Sequence, residues 1–323
     1  MPLGEFELIA KYFARGAPDR PDVVLGIGDD AALVRVPEGR ELVVTADTIV
    51  SGVHFPADLP PAAIGHRALA VNLSDLAAMG ATPAWFTLAL TLPRAQEEWL
   101  AEFSRGLFEL ARRFGVALVG GDTTSGPLAI TVQAMGHAAP GTAIRRSGAR
   151  PGDGIYLSAT TGDAAAGLAV LQGELEIASE AARSDLIARF VWPEPRVELG
   201  MALVGVASAA IDISDGLLAD LGKLLVASGV GGSLDLDLPP VSPALMQVAD
   251  ARAALGFAAA GGDDYELCLT APEANAAAVQ RIAGALGIPL TRIGMVESTS
   301  GLRCFRDGRE VQVQAAGFDH FKR

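Results

Sequence analysis

The sequence predicts two mixed α/β domains, and three observations carry this. The chain has 323 residues, half of them apolar, too many for one ordinary domain and enough for two packed cores. A polar, glycine-rich segment, "RRSGARPGDGIYLS" (145–158), contains Pro151, and after it the alternation of strand-like and helix-like patterns restarts. Each half also holds a strand that ends in a Gly/Asp turn, a coarse echo in a chain without short-period repeats. The predicted domains are 1–145 and 146–323.

Each element follows from its pattern. "MPLGEFELIAKYFAR" reads as an amphipathic helix with Glu5, Glu7, Lys11 and Arg15, without the apolar core and cleavage site of a secretion signal. "VVLGIGDDAALV" (23–34) is an apolar run entering a glycine turn that carries two acids, and "VRVPEGRELVVT" after it is hairpin-like. "ELVVTADTI" (41–49) is β-rich. "PAAIGHRALAVNLSDLAAMG" (61–80) is helical, with Ala and Leu on several faces and therefore well buried. "AWFTLALTLP" (84–93) is a buried strand. "QEEWLAEFSRGLFELARRFG" (96–115) has Leu100, Phe103, Leu107, Leu110, Ala111 and Phe114 at helical spacing and Gly115 as its stop. "VALVGGDTT" and "LAITVQAMGHA" follow as strands. Past the boundary come strand "GIYLS", a helix from Asp163 and a second long helical region. "SAAIDISDGLLADLGKLLVASG" then places a strand, a tight turn and a helix with Leu217, Leu218, Leu221, Leu224 and Leu225 on one face. Strand "YELCLTA", an alanine-rich helix and a short β tail finish the chain.

The bulk numbers exclude several function classes. A formal charge of −13 repels duplex nucleic acid and anionic membrane surfaces, so neither is an expected partner. A small anionic substrate would need metal ions or a local basic pocket. No uncharged apolar run reaches the length of a membrane span. Cys268 and Cys304 have no metal-ligand spacing and read as reduced thiols. The expectation is a soluble, cytoplasmic protein.

The motif search narrows the chemistry. "GIGDDA" (26–31) matches the dinucleotide pattern G-x-G-x-x-[G/A], and Asp47 follows about 20 residues later. In that fold, however, the pyrophosphate lies on bare backbone amides at a helix start, where Asp29 and Asp30 would stand. No P-loop, G-x-S-x-G elbow, H-E-x-x-H pair or H-R-D with D-F-G set occurs. What does recur is aspartate in apolar settings beside Gly, Ser or Thr: Asp30, Asp47, Asp75, Asp122, Asp212 and Asp215. Capping and turn roles account well for Asp215 and Asp122. They account poorly for Asp75, which lies inside a helical stretch with Asn72 on the same face. A buried unpaired carboxylate is costly, and oxygen ligands from Asp and Thr suit Mg²⁺. Aspartates holding Mg²⁺, and Mg²⁺ holding a phosphate, reconcile the acidic turn with a polyanionic ligand. His54 in "SGVHF" reads equally as a packed loop histidine or an anion contact. Arg146 could hold a phosphate or be simply solvated. "GGDDYEL" (261–267) is a glycine turn with two acids that capping cannot explain, since a strand follows.

Taken together, "LGIGDDAA", "TADTIVSGVHF", "IGHRALAVNLSDLAAMGATP", "GGDTT", "RSGARPGDGIYLSATTGDAAAGL", "IDISDGLLADL", "SGVGG" and "GGDDYEL" resemble the thiamine-monophosphate kinase family in the same order, from residue 4 to about 270, with a weaker match around Phe318. The resemblance implies the two-domain PurM-like fold of the aminoimidazole ribonucleotide synthetase superfamily. Its N-terminal α/β domain dimerises so that strands of two subunits form a shared β-barrel, and its C-terminal domain is α+β. It implies ATP-dependent phosphorylation of thiamine phosphate to thiamine diphosphate by a homodimer, with several Mg²⁺ ions. Metal ligands are expected at Asp30, Asp47, Asp75, Asp122, Asp212 and Asp215, with Thr45 assisting. ATP contacts are expected at Gly121, Asp122, Arg146 and Ser214, and thiamine phosphate contacts at His54, Asp263 and Phe318. Two departures stand out. The family usually has Glu where this chain has Asp263, so the carboxylate is kept on a shorter stem. Phe318 keeps the capacity to stack on a thiamine ring but offers no hydroxyl or indole hydrogen bond. A direct in-line transfer between two bound phosphates needs no general base, and none is assigned.

Overall fold

The computed structural model describes residues 4–14, 16, 18–247 and 251–313. The chain divides into two compact units, one of residues 1–76 and 81–141, the other of 77–80 and 142–323.

In the first unit the elements run α1 (Glu5–Tyr12), β1 (Val23–Leu25), β2 (Leu33–Val34), β3 (Glu41–Val50), α2 (Pro61–Ala78), β4 (Thr82–Leu92), α3 (Glu97–Phe114), β5 (Ala117–Ser125) and β6 (Ala129–Ala138). The four longer strands form a sheet in the order β3-β6-β4-β5, with β4 and β5 parallel and the other pairs antiparallel. The barrel implied by the resemblance needs strands from two chains; within this chain the sheet is open at both edges, β3 and β5. Leu69, Leu73, Leu76, Phe86, Phe103 and Leu107 are fully buried, and Trp85, also fully buried, packs in a separate cluster with Ala84, Ala117 and Val119 against Val23, Ala32 and Val34 of the β1–β2 segment. α3 forms as its periodicity predicts. Glu97 and Glu98 begin it, Arg112 and Arg113 end it, matching the helix dipole, and Gly115 caps it at φ +62°. α2 and α3 touch backbone to backbone. A Cβ on Gly65 would come within 2.1 Å of the Phe103 carbonyl oxygen, and one on Gly106 within 1.9 Å of that of Ala62.

The second unit continues with β7 (Gly154–Ser158), α4 (Asp163–Leu171), α5 (Glu180–Val191), α6 (Val197–Ala202), β8 (Ala209–Asp212), α7 (Leu217–Ser228), β9 (Gly231–Asp235), α8 (Ala251–Ala260), β10 (Leu267–Ala271), α9 (Ala276–Leu286), β11 (Leu290–Glu297), β12 (Gly301–Arg306) and β13 (Arg309–Val311). One sheet runs β13-β12-β9-β11-β7-β10-β8. β7 and β10 lie inside it with every residue buried, which explains their mostly apolar sequences, GIYLS and LCLTA. The leucine face of α7 packs on this sheet with Ile155, Leu157, Ile211, Leu234 and Ile293. Burying each such side chain is worth roughly 1.5–3 kcal/mol.

Two expectations change here, and one strand was not expected. The long helical region after Asp163 is two helices, α5 and α6, because Pro193 and Pro195 lie between them and cannot continue a helix. The strand expected from Tyr265 starts only at Leu267, since Tyr265 sits at φ +52°, outside strand geometry. β9, glycine-rich and short of β-branched residues, carries no strand signal of its own.

Candidate active site

The "GIGDDA" turn joins β1 to β2, which pair antiparallel, and no helix follows it until Pro61. This removes the dinucleotide geometry. Asp29 and Asp30 are exposed on the turn, and the Asp30 N–H donates to Asp29 Oδ1 at 2.8 Å.

Beyond the turn, β3 faces α2. Thr45 and Asp47, two residues apart, share one face of the strand. The Thr45 hydroxyl donates to Asp75 Oδ2 at 2.5 Å. The Asp47 N–H donates to Asn72 Oδ1 at 3.1 Å, and Asn72, fully buried, donates from Nδ2 to the Ala68 carbonyl at 3.0 Å. This explains an Asn and an Asp on the inner face of an apolar helix: they tie it to β3 and present a carboxylate beside that strand. Surrounding protein, and then the Asp75 charge, push the Asp47 carboxyl up to about 6. Asp47 keeps an exposed face, so water tempers the first cause and the like charge is the firmer one.

His54 lies in the turn after β3. Its Nδ1 accepts the Val50 N–H at 3.0 Å, and the His54 backbone N–H donates to the Val50 carbonyl at 2.9 Å. An accepting Nδ1 puts the proton of the neutral ring on Nε2, which makes that nitrogen a donor. Gly121 and Asp122 are exposed on the edge strand β5. Gly121 has φ +152°, and a Cβ there would meet the Leu88 carbonyl oxygen at 1.9 Å, so only glycine fits. The lateral row Asp47–Val132–Leu88–Gly121 crosses the sheet, and Asp122 belongs to the next row with Ala89 and Thr131. Strand alternation points neighbouring rows to opposite faces. Within this unit Asp122 therefore does not join Asp47 and Asp75.

In the second unit, buried Asp212 ends β8 and the "ISDG" turn leads into α7. The turn is organised by a residue that sequence reasoning missed. Asp220 Oδ2 accepts the N–H groups of Ser214 at 3.0 Å, Asp215 at 2.9 Å and Gly216 at 3.1 Å. Its Oδ1 accepts Lys223 Nζ at 2.8 Å, and Lys223 also pairs with Asp215. Burial pushes the Asp220 carboxyl up, against the pull of Lys223 and the Asp215 N–H. The amides that would otherwise meet a phosphate are thus already occupied. The available signal was an acid within the helical stripe of Leu217, Leu221 and Leu224.

Next to this turn lies "GGDDYEL". The Asp263 N–H donates to the Ser214 carbonyl and the Tyr265 N–H to that of Ile213, both at 2.9 Å. The structure thus brings Asp212, Ser214, Asp215 and Asp263 into one neighbourhood. Arg146 is exposed, and its carbonyl accepts the Ser228 hydroxyl at 2.7 Å, at the far end of α7. Twelve helical residues separate that end from Ser214, about 18 Å. Phe318 lies outside the described residues.

Among the described residues, no three His, Cys, Asp or Glu side chains gather closely enough to hold a metal ion. The donors still fit a hard dication: all are oxygen, and Asp47 is strained by a like charge that a cation would relieve.

Similarity to known proteins identifies the family. The family model AIR synthase related protein, N-terminal domain, matches residues 28–138, and AIR synthase related protein, C-terminal domain, matches 150–307. The thiamine-monophosphate kinase of Salmonella typhimurium is 51% identical over 322 residues, covering 99% of each chain. The crystal structure of thiamine-monophosphate kinase from Stenotrophomonas maltophilia K279a is similar at TM-score 0.87 and 48% identity, over 96% of this chain and 99% of that one. A structure of AaThiL complexed with AMPPCP and TMP is similar at TM-score 0.78 and 31% identity, over 99% of both chains. With half its residues identical to such a relative over essentially the whole length, the chain belongs to the thiamine-monophosphate kinase family.

Proposed function

We propose that the protein transfers the γ-phosphoryl group of ATP directly to the phosphate of thiamine phosphate, giving ADP and thiamine diphosphate, the last step in making that cofactor. The observation that carries this reading is 51% identity over nearly the full length to a thiamine-monophosphate kinase. A phosphate oxygen of the acceptor forms the new bond to the γ-phosphorus, and the bond to the β-phosphate oxygen breaks with its electron pair on ADP. The acceptor needs no strong base, because a phosphate monoester has its second pKa near 6. Bringing two polyanions into line is the harder task.

Asp30, Asp47, Asp75, Asp122, Asp212 and Asp215, with Thr45, are the residues that would hold Mg²⁺. When bound, Mg²⁺ supplies charge neutralisation between the two phosphate chains. Gly121, Asp122, Arg146 and Ser214 serve ATP. His54 meets the thiamine phosphate with its Nε2 donor, Asp263 and Phe318 meet the thiamine portion, and Asp263 does so from a turn bonded to Ser214. The working form is a homodimer joined through the first unit. Exposed apolar side chains there support this: Leu42 and Val44 on β3, each 47% exposed, and Leu33 on β2, 56% exposed. The cytoplasm is the expected site of action; Cys268 and Cys304 are both free and buried, and among the described residues no helix is long and apolar enough to cross a membrane.

The test measures ADP release from ATP with and without thiamine phosphate and with and without Mg²⁺, and identifies the thiamine product by chromatography. Equal amounts of ADP and thiamine diphosphate, formed only with both substrates and metal, support the reading. ATP consumption that is indifferent to thiamine phosphate overturns it.

A further inference from the structure

Among the described residues, four that are not glycine have positive φ, and three of these lie on two neighbouring loops: Ala159 at +45°, Asp263 at +69° and Tyr265 at +52°. A bulky residue in this region is strained, and such strain persists only where the surroundings over-determine it. Here they do. Asp264, between the two strained residues, accepts the N–H groups of Gly162 at 2.6 Å and Ala164 at 3.1 Å. Glu266, fully buried, is held by Arg189 at 2.8 Å, Arg196 at 2.5 and 2.7 Å and the Ser158 hydroxyl at 2.6 Å. Alternate residues therefore anchor the segment inward, and the strain falls on Asp263 and Tyr265. Between those two runs one further bond: the Tyr265 hydroxyl donates to Asp263 Oδ1 at 3.0 Å.

We propose that Tyr265 is a positioning residue for the acceptor substrate, holding the Asp263 carboxylate in place through its phenol while Asp264 and Glu266 pin the strained ledge. This rests on the reading that Asp263 contacts thiamine phosphate. Tyr265 itself is 8% exposed and acts through Asp263. Aspartate tolerates a left-handed backbone better than longer acids do, so the short side chain suits the ledge and the tyrosine fixes where its carboxylate points.

The test is steady-state kinetics of wild type, Tyr265→Phe, Asp263→Asn and the double variant, with melting temperatures measured alongside. A lost hydrogen bond to a charged group predicts a rise of about tenfold in KM for thiamine phosphate in Tyr265→Phe. KM for ATP and the melting temperature stay near wild type. In the Asp263→Asn background the same substitution adds little, because the two act as one unit. An unchanged KM for thiamine phosphate in an active Tyr265→Phe variant overturns the proposal. So does an undiminished effect in the Asp263→Asn background, which would make Tyr265 a packing residue. A wild type unable to phosphorylate thiamine phosphate overturns the functional reading first, before any substitution is made.

Discussion

The acids around Glu266 in the second unit and the Asp47–Asp75 pair in the first are treated in opposite ways. In the second unit three buried acids are answered from within the fold. Glu266 has two arginines, Asp264 two backbone N–H groups, and Asp220 three backbone N–H groups and a lysine. In the first unit, Asp47 and Asp75 face each other across β3 and α2, and Asp47 is pushed towards its protonated form. The lesson is that burial alone does not mark a functional acid. Burial raises the carboxyl in both units, Asp264 to about 8 and Asp47 to about 6; the difference is that Asp264 is answered by backbone donors and Arg189, while Asp47 faces a second carboxylate, a like charge that a cation would relieve.

The widest test of this contrast removes an answered acid. Glu266→Gln leaves Arg189 and Arg196 facing a neutral amide in a buried site, and breaking such a cluster costs about 3–5 kcal/mol. Urea unfolding should show a correspondingly lower midpoint, and a change below about 1 kcal/mol would remove the distinction between the units. Next comes Asp47→Asn. Mg²⁺ should then no longer raise the melting temperature as it does for wild type, and turnover should fall by about 100-fold or more, as loss of a ligand carboxylate implies. Stability without metal should move the other way. A folded-state pKa raised from 3.8 to about 6 means that the native state binds the Asp47 proton more tightly than the unfolded state. The Asp47 contribution to stability is therefore greatest below pH 4, is lost as pH rises through 6 and is flat above. Asp47→Asn removes that decline, a gain of ~1 kcal/mol at pH 8 once water at the exposed face is allowed for. A metal-free variant less stable than wild type at pH 8 would contradict this.

The same contrast explains what could be read in the sequence. α3, the leucine face of α7 and the strand-turn-helix around Asp212 were legible because apolar spacing and glycine stops are local signals. The suspicion on Asp75 was legible because an acid in an apolar helix is a local conflict. Asp220 was not, because a carboxylate capping three amides one turn back looks like any acid in the first turn of a helix. The Tyr265 backbone was hidden for another reason. A left-handed tyrosine contradicts its own β propensity, and its neighbours Asp264 and Glu266 are held by Gly162, Arg189 and Arg196, some 70 to 100 residues away. The opposite facing of Asp47 and Asp122 depends on strand register, which the motifs do not carry.

Thr45→Val sharpens the comparison at smaller scale. It removes a single hydroxyl from Asp75 Oδ2 at nearly constant volume. The net worth of such a bond is about 1 kcal/mol, so half-saturation by Mg²⁺ should rise about fivefold, with kcat at saturating Mg²⁺ close to wild type. A change in kcat without a shift in the Mg²⁺ requirement would place Thr45 in the transfer step itself.

The smallest effect is expected at Lys223, one of only three lysines in the chain. It is 44% exposed and bridges Asp215 and Asp220. Lys223→Met should cost less than about 1 kcal/mol of stability, because an exposed ammonium contributes little and Asp220 keeps its three backbone donors. Its effect on metal is more telling. With the ammonium gone, Asp215 comes to resemble Asp47, an acid whose answer must come from outside. Mg²⁺ should then half-saturate the enzyme at a lower concentration than in wild type, because the cation no longer competes with a tethered one. A higher requirement would mean that Lys223 helps to orient Asp215 for metal, and the line between answered and waiting acids would then run inside the second unit, at Asp215.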